Sequence, residues 1–305
     1  MGETSSNPGT RSIKESLRGS IVALVTPMFA DGGIDYEALA ELLDWHAEAG
    51  TAGIVAVGTT GESATLHVDE HLQVIGFCVE RLAGRIPLIA GTGANSTQEA
   101  IDLTGGAASL GADACLLVTP YYNRPTQRGL FEHFRAIAEA VDVAQLLYNV
   151  PSRTAVDMSN ETTLRLAALD RIVGIKDATG DLTRGRALLR DAPGDFAVYS
   201  GDDGTAAELM LAGASGNISV TANVVPERVA AVCHSALDGD TQRTQALDGE
   251  LAALNEALFV EANPMPVKYA LAKLGKIREG IRLPMTWTEG EAAAVVDAAL
   301  AALSS

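Results

Sequence analysis

Ile172-Val173-Gly174-Ile175-Lys176-Asp177-Ala178 is a short, β-branched run that closes on polar residues. Its period of two puts Gly174 and Lys176 on one face and Val173 and Ile175 on the other. Seven further runs of the same kind occur along the chain, at residues 21–28, 53–60, 87–93, 114–120, 144–150, 196–202 and 215–220. Between them lie longer segments with helical spacing, punctuated by capping residues. Asp35 is placed to cap a helix ending near Gly50 and Asp69 one ending near Gly84, while Ser96 with Glu99 forms a capping-box pattern.

Strand alternating with helix implies a parallel sheet. Eight uniform units fit a closed α/β (β/α)8 TIM barrel better than an open doubly wound sheet. The absence of a GxGxxG after the first run also weakens a dinucleotide-binding reading. The expected organisation is an N-terminal segment at 1–18 that is flexible, a barrel core at 19–225, and the last barrel helix with a C-terminal helical extension at 226–305.

Composition narrows the function classes. A formal net charge of −17 disfavours nucleic acid and anionic membrane surfaces as partners. Every apolar segment is interrupted before the ~20 residues a membrane span needs, and residues 1–18 contain no signal-peptide core. A cytoplasmic protein is the expectation. Cys78, Cys115 and Cys233 are widely spaced in apolar surroundings, as core thiols would be. His46, His67, His71, His133 and His234 are scattered without metal-ligand spacing, so no metal or other cofactor is expected.

In a parallel barrel the chemistry gathers at the C-terminal strand ends. Of the five lysines, only Lys176 lies within a strand. Burial disfavours an ammonium relative to its amine, so an inward lysine is a nucleophile able to condense with a ketone. A lysine there could instead pair with neighbouring Asp177 or snorkel out of the barrel mouth. The second run ends in Gly58-Thr59-Thr60-Gly61-Glu62-Ser63, where paired hydroxyls can bind a carboxylate or relay a proton, or simply form a Gly-rich turn. The fifth ends in Tyr148-Asn149-Val150-Pro151-Ser152-Arg153-Thr154, a phenol followed by a guanidinium suited to bidentate carboxylate binding. Packing for Tyr148 and a surface position for Arg153 are the plainer alternatives. Tyr121-Tyr122-Asn123-Arg124-Pro125 closes the fourth, where two aromatics suit a subunit interface equally well.

Together these three motifs, with Gly174-Ile175-Lys176-Asp177-Ala178-Thr179-Gly180 as a fourth, resemble the dihydrodipicolinate synthases of the N-acetylneuraminate lyase superfamily, over residues 19 to 284. The resemblance implies a class I aldolase-type lyase in lysine and diaminopimelate biosynthesis. It would condense pyruvate, bound as a Schiff base on Lys176, with L-aspartate 4-semialdehyde. Thr59, Tyr148 and Tyr122 would relay protons, with Tyr122 reaching into a neighbouring subunit of a homotetramer built as a dimer of dimers. Thr60 would hold the pyruvate carboxylate, Arg153 the semialdehyde carboxylate, and the backbone at Gly201 and Ile218 would line the pocket. Ser63, Ala64, His71, Asn95, Glu99 and Tyr121 match the family's site for L-lysine as feedback effector, although Val68 stands where lysine-sensitive relatives often carry His. Glu99 also has its capping role. The rival readings are a related sugar-acid aldolase or neuraminate lyase, against which Arg153 argues, and a catalytically silent barrel, against which the surviving Lys176, Tyr148, Thr59 and Tyr122 argue.

Overall fold

The computed structural model describes residues 17–303; most of the segment expected to be a flexible arm lies outside the described residues. Eight parallel strands close into a barrel in sequence order: β1 (Gly19–Ala23), β2 (Gly53–Ala56), β3 (Leu88–Gly91), β4 (Ala114–Val118), β5 (Ala144–Asn149), β6 (Ile172–Asp177), β7 (Ala197–Ser200) and β8 (Gly216–Ser219). β8 pairs back onto β1 through Ile218 and Ile21. The (β/α)8 barrel expected from the sequence is therefore the fold.

The strands are shorter than the apolar runs that announce them, for local reasons. After Ala23 the Val25 amide donates to the Asn223 side chain at 3.0 Å, and Pro27 has no N–H to give. In the second run Val57 turns to φ 48°, a left-handed value unusual for a β-branched residue, and ends the ladder.

Helices α1 (Tyr36–Glu48), α2 (Val68–Leu82), α3 (Thr97–Leu110), α4 (Gln127–Ala140), the single turn α5 (Pro151–Thr154), α6 (Asn160–Leu166), α7 (Leu182–Asp191), α8 (Asp203–Leu211) and α9 (Pro226–Leu237) follow the strands. Asp35 caps α1 by accepting from the Ala38 amide at 3.1 Å. The cap expected at Asp69 is instead at His67, whose amide donates to Glu70 Oε2 at 3.1 Å, so α2 begins before Asp69 and that residue sits in its first turn. Ser96 Oγ accepts from the Glu99 amide at 3.4 Å. Three more helices, α10 (Thr241–Ala257), α11 (Met265–Lys273) and α12 (Gly290–Ala302), form the C-terminal helical segment.

Two layers of apolar packing result. Inside the barrel, Ile21, Val55, Ile89, Leu116, Leu146 and Ile218 meet in one cluster. Between sheet and helices lie two larger clusters, in which Leu42, Ile75 and Val267, or Phe134, Ile137 and Leu188, are fully or almost fully buried. Cys78, Cys115 and Cys233 are buried free thiols, pushed up to about 12 by that burial. The barrel floor is closed where Tyr199 donates its phenol to the Leu17 carbonyl at 2.8 Å. Among the described residues no helix is long and apolar enough to cross a membrane.

Candidate active site

On β6 the pleat turns Lys176 inward and Asp177 outward. Lys176 stands in register between Tyr148 of β5 and Tyr199 of β7, and is 5% exposed. Its Nζ lies 4.5 Å from the Tyr148 ring centroid. Asp177 faces the helices, where Oδ1 accepts from the Thr179 amide at 3.0 Å and Oδ2 lies 3.4 Å from Arg184 Nε. Burial raises the Asp177 carboxyl above the usual range, with Arg184 opposing. Direction alone thus separates Asp177 from the lysine it follows.

Gly201, the residue after β7, donates its amide to the Asp177 carbonyl at 2.7 Å and so lies beside the lysine. A Cβ placed there would come within 2.7 Å of Lys176 Cε and 2.7 Å of Ala178 Cβ. Only a residue without a side chain lets the lysine stem pass.

Lys176, Tyr148, Thr60, Arg153 and Gly201 all line one cavity of about 540 Å³, roofed by Phe259 to Asn263 of the segment before α11. Thr60 is 3% exposed, and its Oγ1 accepts from Asn263 Nδ2 at 2.9 Å. Arg153 rides on the α5 turn, and its Nη2 donates to the Asn263 carbonyl at 3.0 Å. The cavity therefore gathers an amine, a phenol, a hydroxyl and a guanidinium at the barrel mouth.

A second cavity of about 290 Å³ adjoins it, lined by Thr59, Ser63, Ala64, His71, Glu99 and Tyr121. Arg153, Val150 and Asn263 line both cavities. His71 Nε2 lies 2.7 Å from the Gly91 carbonyl, a bond that requires the proton on that nitrogen. Burial lowers the His71 pKa despite this bond. The Tyr121 phenol is raised by burial and by the Glu99 charge. Asn95 stands outside the lining but donates to the Tyr121 carbonyl at 3.3 Å.

Besides Asn95, two expected site residues, Tyr122 and Ile218, are not brought to either cavity wall. Tyr122 is 90% exposed, on a left-handed backbone with φ 72°. Ile218 is buried in the barrel-interior cluster. Sequence reasoning also missed a charged pair beside the second cavity: Lys268 Nζ meets Glu62 Oε1, with both side chains fully buried. Glu62 Oε2 accepts from the Arg282 amide at 3.1 Å. The available signal was Lys268 itself, a lone charge inside the apolar run Pro266-Val267-Lys268-Tyr269-Ala270-Leu271. Among the described residues no group of three or more His, Cys, Asp or Glu side chains is placed to hold a metal ion.

A sequence profile described as the Dihydrodipicolinate synthetase family matches residues 16–303. The 4-hydroxy-tetrahydrodipicolinate synthase of Marinobacter nauticus is 61% identical over 271 residues, which are 88% of this chain and 93% of that one. That of Pseudomonas putida is 59% identical, over 89% and 93%. Among solved structures, the chloride-inhibited dihydrodipicolinate synthase of Acinetobacter baumannii complexed with pyruvate superposes with a TM-score of 0.93 at 56% identity, covering 94% of this chain and 99% of that chain. The Cyanidioschyzon merolae enzyme with lysine bound gives 0.92 at 39% identity, over 95% and 99%. A profile match along nearly the whole chain, relatives near 60% identity and a shared barrel lead to one conclusion: this chain belongs to the dihydrodipicolinate synthetase family.

Proposed function

We propose that the chain condenses pyruvate with L-aspartate 4-semialdehyde to give 4-hydroxy-tetrahydrodipicolinate, in lysine and diaminopimelate biosynthesis. The observation that carries this reading is the buried Lys176 amine, held over Tyr148 in a cavity that also presents Thr60 and Arg153.

The Lys176 nitrogen attacks the ketone carbon of pyruvate, and loss of water leaves an imine. Loss of a proton from the methyl carbon gives an enamine, whose carbon bonds to the aldehyde carbon of the second substrate. The amino group of that substrate then attacks the imine carbon and expels the lysine amine, closing the ring. Thr60 holds the pyruvate carboxylate, Arg153 takes the second carboxylate, and the backbone at Gly201 and Ile218 borders the pyruvate. Thr59 and Tyr148 relay protons, joined by Tyr122 from a neighbouring subunit. The exposure of Tyr122 fits a residue that acts across an interface in a homotetramer arranged as a dimer of dimers.

The adjoining cavity serves L-lysine as effector. Ser63, Ala64, His71, Glu99 and Tyr121 line it and Asn95 steadies Tyr121. Val68, half exposed on its rim, replaces a residue that often accompanies sensitivity.

Turnover of pyruvate with a panel of aldehydes tests the choice of acceptor. Consumption with aspartate semialdehyde, and little with sugar aldehydes, is the expected result. Turnover confined to sugar aldehydes would overturn it.

A further inference from the structure

Asn263 sits where the two cavities meet and is 4% exposed. Its side chain and its main chain do different work. Nδ2 donates to Thr60 Oγ1, while the carbonyl accepts from Arg153 Nη2. A hydroxyl that accepts one bond keeps its own hydrogen to give elsewhere. The amide therefore sets Thr60 as a donor rather than an acceptor. The carbonyl, in turn, occupies one of the five guanidinium N–H groups and so fixes the plane of the fork.

The same stretch of chain braces the turn a second time. Lys268, five residues on, pairs with Glu62, two residues beyond Thr60. Glu62 itself holds a left-handed backbone, φ 59°. A turn carrying such strain keeps its shape only when its surroundings fix it, and here both fixings come from the C-terminal helical segment. Asn263 Oδ1, meanwhile, is buried without a partner. An unsatisfied buried acceptor costs about 1–3 kcal/mol, so stability alone does not favour an amide at this position.

We infer that Asn263 is a positioning residue: it holds Thr60 through its side chain and Arg153 through its carbonyl, keeping the groups for the two substrate carboxylates at one separation. The inference rests on the roles given above to Thr60 and Arg153. It makes the C-terminal segment part of the substrate-binding apparatus of the barrel.

A double-mutant cycle between Asn263→Ala and Thr60→Val tests it, reading the KM for each substrate and the folded state by circular dichroism. Thr60→Val should raise the pyruvate KM about tenfold or more, the loss of one hydrogen bond to a charged group. Asn263→Ala should raise the pyruvate KM by more than the semialdehyde KM, with kcat changed less. With no hydroxyl left to orient, the double variant should match Thr60→Val alone. Multiplied losses in the double variant, or equal rises in both KM values, would overturn the inference while leaving the role of Thr60 intact. An unchanged pyruvate KM in Thr60→Val would overturn that role and the inference with it. Asn263→Asp keeps the shape and replaces the donor by an acceptor, so Thr60 would turn its hydrogen toward it; a raised pyruvate KM is expected here too, and an unchanged one contradicts the inference even if the alanine variant does not fold.

Discussion

The α-carbon of Gly201 faces the stem of Lys176 so closely that an added methyl group would stand 2.7 Å from Cε and 2.9 Å from Cγ. The glycine directly follows β7, the lysine is on β6, and the amide-to-carbonyl bond from Gly201 to Asp177 fixes their offset. Neighbouring strands thus set the position of the amine before any substrate arrives.

Gly201→Ala should therefore displace Lys176 without unfolding the barrel. A shift near 1 Å at a reacting group costs about 100-fold in rate, and kcat/KM for pyruvate should fall by that order while the circular dichroism spectrum is kept. Activity within a factor of two of the parent would show that the stem has room to spare.

The Glu62–Lys268 pair makes an opposite kind of demand, on stability. Lys268→Met leaves a fully buried carboxylate without its counter-charge, and breaking such a pair costs about 3–5 kcal/mol. Burial lowers the Lys268 pKa, and the Glu62 charge opposes this. Combining Lys268→Met with Glu62→Leu removes both charges and should cost less than Lys268→Met alone. Recovery should be partial, because the Arg282 amide then loses its acceptor, at about 1–3 kcal/mol. Urea unfolding of the parent and these two variants measures this; a double variant less stable than Lys268→Met contradicts it.

Acid should destabilise the fold through two histidines. Burial holds His46 at about 3, with Lys276 adding to the effect, and His133 at about 4. In each, Nδ1 lies within hydrogen-bond distance of a threonine hydroxyl, Thr51 Oγ1 at 3.0 Å from His46 and Thr97 Oγ1 at 2.9 Å from His133, and each Nε2 is buried without a partner. In the unfolded chain both titrate near 6.5, so as pH falls below about 6.5 the unfolded state takes up protons that the folded state refuses. Stability is then lost down to the folded values, by about 1.4 kcal/mol per pH unit per group within the window. Unfolding midpoints at pH 7 and 5 should differ less for His46→Gln combined with His133→Gln than for the parent. An equal difference would remove the histidines from the explanation.

The fold was legible because strand and helix alternate with polar punctuation, and the inward direction of Lys176 followed from a period of two. The strand ends were not. Val57 leaves the ladder through a backbone angle that no side-chain pattern encodes, and Val25 exchanges a ladder bond for one with Asn223, some 200 positions away. The site divides in the same way. Tyr148 and Arg153 were readable at a strand end, whereas Asn263 and the Glu62–Lys268 pair join segments more than 200 residues apart. Local spacing carries no record of such contacts. Lys268 could have been singled out only by asking why an apolar helix run contains a charge.

Borohydride reduction in the presence of pyruvate, followed by peptide mass mapping, bears most directly on the central claim that Lys176 forms the imine. Reduction converts the imine to a stable secondary amine on the lysine that formed it. The account predicts a pyruvate-derived adduct on Lys176, lost in Lys176→Ala; an adduct on another lysine, or none at all in the active protein, would contradict it.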